Sequence, residues 1–557
     1  MNWPFNSKLT GRTSNHLLAP PAGPKEAPRK VPHDSAKRIK YKSMKQKTYP
    51  LLAALLLVPL AALHAADVPK PMRPNILFIM VDEMKWNVMS CAGHEIVNTP
   101  NLDRLAREGT RFATAFTVAP ICTPSRYSFF TSRYAHVHGS TDNSTPPREA
   151  QLLLPAILKH AGYETAISGK LHFLPDNIDY SFDDFWSYAN EGSGKLPTWP
   201  QTVEKKHGPK SARRVIDKPF PDDALGGDLG KLPYPKEDSQ TFWITDRAVE
   251  FLGKRDKAKP FFLFVSYLDP HSPSHLCEPY WQMFDAEKIS LPASFKHDPS
   301  KALQSSSNRH EVNDPKIVKA MTAAYYAKVK MVDDNIGRLM EQLRKQGLAE
   351  NTLIVFTADH GNMLGDLNRW FKGAMYEGST RIPLLMKAPA NSPYAAQFNR
   401  GVVVTNIVQS IDVMPTLCEI AGVPLPAQGI QGRSLTGLVA GKASDWKDRA
   451  FAERGSSMVR TPQFKFIKNE NAKKKSRHGS GDFELYDLAK DPLETNNLAA
   501  DPAYAETVKK LASQLDAWQK DGPPVPVMTG VAPEPKPGTP VVEKPQKKEY
   551  QPKQRAK

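Results

Sequence analysis

The segment Cys122-Thr123-Pro124-Ser125-Arg126 packs reactive side chains into one turn of chain. Proline just inside a helix start is favoured, so the run onward through residues 127–133 predicts a helix that opens at Cys122. Such an end offers free backbone N–H groups and partial positive charge, and both suit an anion. Arg126 adds a fork of donors for the same anion. Taken alone, the pair reads as a thiol nucleophile of lowered pKa. The Cys–Arg spacing is too short for the phosphate-binding loop of a cysteine phosphatase, which excludes that chemistry.

Other polar clusters follow short apolar runs. Residues 75–81 (NILFIMV) lead into Asp82 and Glu83, and residues 164–167 into Ser168-Gly169-Lys170-Leu171-His172. Residues 261–267 (FFLFVSY) lead into Leu268-Asp269-Pro270-His271, and residues 353–356 into Thr357-Ala358-Asp359-His360-Gly361. Asp82 and Asp359 offer hard carboxylate oxygens for Ca²⁺ or Mg²⁺. A lone aspartate at a strand end is ordinarily a cap, but ionisable residues at every such end point to one shared centre. Spacing for a structural zinc site is absent.

These clusters need elements to bring them together. Ile-, Val- and Phe-rich runs without alternation read as buried strands of a parallel sheet. Helical patterns lie between them, over residues 99–109, 152–161, 242–252, 316–346 and 503–518. The alternation predicts an α/β fold, a mainly parallel central sheet sandwiched by helices. In such sheets ligands bind beyond the carboxyl ends of the strands. The catalytic body is expected over 67–445. Beyond it, short strands at 464–468 and 484–486 and one last helix predict a smaller C-terminal α+β subdomain over 446–521. Residues 191–240 and 272–315 read as surface insertions.

The Cys-x-Pro-Ser-Arg segment resembles the signature of the type I sulfatases of the alkaline phosphatase superfamily. Companion segments are similar to that family in order: residues 75–112, Gly169–His172 (GKLH), 269–273 (DPHSP), 357–365 (TADHGNMLG), 371–383 and 484–498. The resemblance covers roughly 73–520. It implies an alkaline phosphatase-like fold and hydrolysis of sulfate esters. It also implies that a formylglycine-generating enzyme converts Cys122 to formylglycine (3-oxoalanine), present as the hydrate. One hydroxyl of the hydrate attacks sulfur, the alcohol leaves protonated, and the second hydroxyl then loses its proton as sulfate departs. By the same resemblance, Asp82, Glu83, Cys122, Asp359 and His360 hold one divalent metal, Ca²⁺, with Mg²⁺ or Mn²⁺ as alternatives. Lys170 and Lys372 hold the sulfate oxygens, His271 donates to the leaving oxygen, His172 positions or deprotonates the hydrate, and Arg126 orients it.

Two departures lean toward the choline-sulfatase and phosphonate monoester hydrolase side of the family. Glu83 stands where many members carry a second Asp, and Leu367-Asn368-Arg369-Trp370 replaces an expected His. His136, His138 and Asn143 are substrate-contact candidates one helix beyond Cys122. Trp186, Trp199 and Trp281 are candidates for a sugar subsite. Cys91, Cys277 and Cys418 read as plain thiols. The expected substrate is a sulfated carbohydrate. The alternatives are a phosphodiester or phosphonate monoester hydrolase with the same nucleophile, or a non-catalytic glycan-binding relative.

The ends of the chain account for most of its charge. The 557 residues carry a net +17, of which residues 1–66 hold +9 and residues 522–557 hold +4. The remaining body, at +4, is nearly balanced and gives no nucleic-acid signal. Residues 51–63 form an apolar run behind Lys45 and Lys47 and ahead of small residues, which reads as a signal peptide over 44–66. Residues 1–43 read as an extension upstream of the true start. The mature protein is expected outside the cytoplasm, periplasmic or extracellular, with no membrane span after cleavage. Residues 522–557 are Pro/Lys-rich and read as a disordered tail. Oligomeric state is not legible in the sequence.

Overall fold

The computed structural model describes residues 73–175, 179–187, 197–220, 225–296, 312–469 and 482–531. The signal peptide, the N-terminal extension and the tail beyond 531 lie outside these residues.

The strand Asn75–Asp82 is buried at every position, as expected for an apolar run covered on both faces. It pairs in parallel with Phe261–Pro270 on one side and Thr352–Ala358 on the other. Across the sheet the order is Val402–Gln409, Thr110–Phe116, Leu384–Lys387, Thr352–Ala358, Asn75–Asp82, Phe261–Pro270, Glu164–Gly169 and Asp184–Ser187. Leu384–Lys387 runs antiparallel to both its neighbours, and short Arg381–Ile382 pairs antiparallel with Thr110–Phe116. The other pairings are parallel. The α/β architecture expected from the sequence is therefore present.

The helix Cys122–Thr131 is buried along its whole length. Its Phe130 stacks on Phe78 of the central strand at 5.9 Å and meets Phe264 edge-on at 5.0 Å. Aromatic pairs of this kind add about 0.5–1.5 kcal/mol beyond simple burial, so the helix is pinned where its first residue matters. The long helix Pro315–Lys345 starts behind an Asp314 cap, and Gln240–Lys254 behind a Ser239 cap. A side-chain oxygen at that position satisfies an otherwise orphan backbone N–H.

The C-terminal part forms a separate antiparallel sheet, Ala450–Glu453, Ser457–Arg460, Phe464–Lys468 and Phe483–Asp487. Helix Ala505–Gln519 covers it with Leu511, Leu515 and Trp518. Three features depart from expectation. Residues 522–531 pack on the body rather than starting a tail: Arg133 donates to the Pro523 carbonyl at 2.7 Å, and Val531 is buried in the main core. Within the insertions, Trp199–His207 is a helix with a Thr198/Gln201 capping box. Trp186 and Trp281 are core residues, 5% and 7% exposed, so neither is available to a sugar. Among the described residues, no helix is long and apolar enough to cross a membrane.

Candidate active site

The polar clusters meet at one edge of the sheet because their strands run parallel and end together. Asp82 closes its own strand, Asp359 follows Thr352–Ala358, Lys170 follows Glu164–Gly169, and His271 follows Phe261–Pro270. Cys122 enters from the loop after Thr110–Phe116, as the first residue of its helix. The start of that helix is tied down twice. Thr123 N–H donates to Asn143 Oδ1 at 3.0 Å, and Ser125 Oγ donates to the Asp359 carbonyl at 2.5 Å.

Arg126 holds the centre of the site. Its Nε donates to Asp359 Oδ2 at 2.9 Å and its Nη2 to Asp82 Oδ2 at 3.2 Å. Its Nη1 donates to the Lys170 carbonyl and to Ser266 Oγ, both at 2.9 Å. Four of its five donors are thus committed to the protein. Arg126 aligns the two carboxylates and does not present its fork to an anion, as the sequence alone had suggested.

Asp82, Cys122, Asp359 and His360 are fully buried or nearly so, and their ligand atoms lie within 4.8 Å of one another. His360 Nε2 is 3.2 Å from Cys122 Sγ and 3.6 Å from both Asp82 Oδ1 and Asp359 Oδ1. His360 Nδ1 faces the Gly361 carbonyl at 3.0 Å. That contact assigns the ring proton to Nδ1 and leaves the Nε2 lone pair facing the carboxylates. Two hard carboxylates and one such imidazole converging in a buried pocket fit a divalent cation. The electrostatics agree. Burial alone would lower the His360 pKa, yet Asp359 and Cys122 raise it to about 9, so a proton occupies Nε2 until a cation takes its place there.

Glu83 faces elsewhere. Its Oε2 is 3.0 Å from Lys372 Nζ and 3.2 Å from His271 Nε2, and its Oε1 accepts from Asn362 Nδ2 at 3.0 Å. It stands outside the four-residue cluster but forms a second such group with Asp82 and His271, whose ligand atoms also lie within 4.8 Å of one another, and it anchors the cationic wall. Its backbone is left-handed at φ 68, a conformation that costs about 1–3 kcal/mol in a non-glycine residue and concentrates at functional sites.

The cationic wall consists of Lys170, Lys372 and His271. Lys170 Nζ lies 2.5 Å from Asp82 Oδ2. Burial raises the Asp82 carboxyl, but Lys170, His271 and Arg126 hold it well below the usual range. His271 Nδ1 donates to the Ser272 carbonyl at 2.5 Å, so its Nε2 accepts from Lys372 Nζ, also at 2.5 Å. Burial and Lys372 keep the His271 pKa well below its usual value, whereas Glu83 and Cys122 outweigh burial and raise that of Lys372. The expected donor His271 is therefore neutral at rest, and the nearest proton sits on Lys372. Burial and Asp82 push the Cys122 thiol up, but Lys170, Lys372 and His360 leave it below the ordinary thiol range.

The remaining candidates divide. His172 lies half-buried at the same strand end as Lys170, in left-handed backbone at φ 59. Asn143 caps the Cys122 helix. His138 is fully buried, with Nε2 3.0 Å from Ser128 Oγ and Nδ1 accepting from Ser140 N–H; it is scaffold and contacts no substrate. His136 pairs with Glu453 and with the Asp521 carbonyl. Trp199 donates to the Asp238 carbonyl inside the insertion. Cys277 and Cys418 are buried and Cys91 partly so, all unpaired thiols.

The sequence reading missed two supports. Buried Lys328 pairs with Asp269 at 2.9 Å and donates to the His271 and Pro273 carbonyls. The short helix Glu377–Thr380 binds Gly373 N–H through Ser379 Oγ and Gly361 N–H through Ser379 O. It therefore braces the neighbours of both Lys372 and His360. The helical spacing that puts Lys328 on the inner face of Pro315–Lys345 was the available signal for the first; short-range sequence gave none for the second.

A family model described as Sulfatase matches residues 74–423. A second, described as N-sulphoglucosamine sulphohydrolase, C-terminal, matches residues 365–521. An arylsulfatase of Clostridium perfringens is 30% identical over 472 residues, covering 80% of this chain and 94% of the relative. An N-acetylglucosamine-6-O-sulfatase of Bacteroides thetaiotaomicron is 30% identical over 551 residues, covering 84% and 90%. Among solved structures, the phosphonate monoester hydrolase of Agrobacterium radiobacter superposes with a TM-score of 0.68 at 25% identity, covering 82% of this chain and all of that one.

Proposed function

The chain belongs to the sulfatase family and hydrolyses sulfuric esters; we propose that it is exported, acts on a sulfated carbohydrate, and works through formylglycine formed from Cys122. The observation that carries the mechanism is the placement of Cys122 at a helix start, within 3.6 Å of both Asp82 and His360 and facing Lys170 and Lys372. The hydrated aldehyde supplies the attacking hydroxyl. Asp82, Asp359 and His360 would hold the metal, Ca²⁺ in this reading, which offsets charge on the transferring group.

The other steps belong to this chain's own residues. Lys170 and Lys372 bind the sulfate oxygens; Lys170 lies beside Asp82, and Glu83 keeps Lys372 charged against its burial. Arg126 fixes both metal-binding carboxylates, so neither moves during turnover. His271, its Nδ1 held by Ser272 and its Nε2 hydrogen-bonded to Lys372 at rest, passes a proton from Lys372 to the leaving oxygen only as negative charge develops there. Glu83 keeps that pair together.

The carbohydrate reading rests on the N-acetylglucosamine-6-O-sulfatase relative, and export rests on the apolar segment 51–63. The phosphonate monoester hydrolase likeness supports a second reading, because a sulfate monoester and a phosphodiester carry the same single charge. The presence of the full set Asp82, Cys122, Lys170, His271, Asp359 and Lys372 counts against a non-catalytic relative. Sulfate release from N-acetylglucosamine 6-sulfate, run beside a phosphodiester at equal concentration, tests the assignment. Faster turnover of the sulfate ester is expected; faster turnover of the phosphodiester favours the second reading.

A further inference from the structure

The hairpin between Ala450–Glu453 and Ser457–Arg460 carries Arg454 at its tip. Three contacts fix where that tip sits. Glu453 N–H donates to the Val118 carbonyl at 3.1 Å, on the loop that leads to Cys122. The Arg454 guanidinium lies so close to Gly373 that a Cβ there would meet Nη1 at 1.7 Å. Arg454 Nε is 3.8 Å from Asp142 Oδ2, next to the Asn143 that caps the Cys122 helix. The guanidinium therefore stands between the segment bearing Lys372 and the segments bearing Cys122.

Two features argue against a purely structural role. Its pairing with Asp142 is long, with side chains 29% and 50% exposed, and exposed pairs of this kind contribute about 0–1 kcal/mol. The chain also keeps a glycine beside the guanidinium. Gly373 has φ 91, and its missing Cβ is the space that Arg454 fills. A partly exposed guanidinium, loosely paired and with donors to spare, is suited to an incoming oxyanion.

We infer that Arg454 is a specificity residue at the mouth of the site. It binds a second anionic group, a carboxylate or a further sulfate, on the alcohol side of the substrate, with Asp142 as its resting partner. This rests on the sulfatase reading above and narrows its substrate class to polyanionic esters. A leaving group bearing a cation is disfavoured by the same charge.

The test compares phenyl sulfate with its 3-carboxy and 4-carboxy derivatives, using wild type, Arg454→Gln and Arg454→Lys. Wild type is expected to prefer a carboxylated ester. Arg454→Gln should lower kcat/KM on that ester about tenfold or more, chiefly through KM, the loss of one charge-assisted hydrogen bond. On phenyl sulfate the same variant should stay within about twofold of wild type, and Arg454→Lys should recover part of the preference. Equal losses on all the esters, or no preference in wild type, overturn the inference while leaving the sulfatase reading intact. No sulfate release from any of them by wild type overturns both.

Discussion

The lysine–histidine pair decides which substrates the site handles well. His271 accepts a hydrogen bond from Lys372, and burial and that lysine hold its pKa down; in the proposed relay it therefore matters most when the leaving oxygen is basic. His271→Asn is expected to lower kcat on a sugar sulfate about 10²–10³-fold, the usual contribution of a general acid. On an aryl sulfate with an acidic phenol the same variant should lose less than about tenfold; equal losses on both would remove the proton relay. Asp359 accepts from Arg126, from Glu83 N–H and from His360 N–H and still directs an oxygen at the metal cluster. Asp359→Asn should therefore release bound divalent metal on gel filtration, read by elemental analysis, and lower activity about 10²-fold or more. Metal retained at the wild-type level would move the cation elsewhere. At this scale most of the site was legible, since Asp82, Cys122, Lys170, His271, Asp359 and His360 are ionisable residues at or just past element ends, whereas Lys372 lies in a loop and was reached through the family resemblance. Their directions were not. Glu83 is engaged by Lys372, His271 and Asn362, and Arg126 serves carboxylates from two other strands. Such contacts join residues tens to hundreds of positions apart.

The elements locate the chemistry through a buried ionic brace. Lys465, fully buried on the C-terminal sheet, lies 3.0 Å from Glu377 and 2.7 Å from Glu494. Glu494 accepts from Glu377 N–H at 2.8 Å and so caps the Glu377–Thr380 helix, while Arg460 and Arg381 complete the shell around Glu377. Ser379 of that helix holds Gly373 and Gly361. Removing one partner of a buried ion pair leaves a stranded charge and costs about 3–5 kcal/mol. Lys465→Met should therefore lower stability by about that amount in denaturant and also lower kcat through a displaced Lys372, while Lys465→Arg should restore part of both. Unchanged kcat in folded Lys465→Met would confine the brace to stability. The strands were legible from apolar runs, and the sheet followed from their alternation with helices. The brace was not, because Lys465 sits in a short strand whose neighbours look like ordinary alternation, and only the tertiary fold shows its charge to be buried.

At the scale of the whole molecule, the C-terminal segment closes the catalytic body. Arg133 is 2% exposed and donates to the Pro523 carbonyl and to Gln151 Oε1, and Val531 joins the main core. Truncation after Asp521 removes one of that guanidinium's two acceptors together with the Val531 contact, at about 1–3 kcal/mol. It should lower Tm by about 2–8 °C relative to truncation after Val531; equal Tm values would show that residues 522–531 contribute nothing. Composition misled here, because a Pro-rich stretch reads as disordered although proline also suits an extended segment laid across a surface. The central claim for the molecule is that a cysteine at a helix start becomes an aldehyde and performs sulfuryl transfer. The most direct measurement is the mass of the peptide containing Cys122, taken from purified, sulfate-releasing protein. The account predicts loss of sulfur and an aldehyde that reacts with hydroxylamine. An intact thiol in protein that still releases sulfate would contradict it.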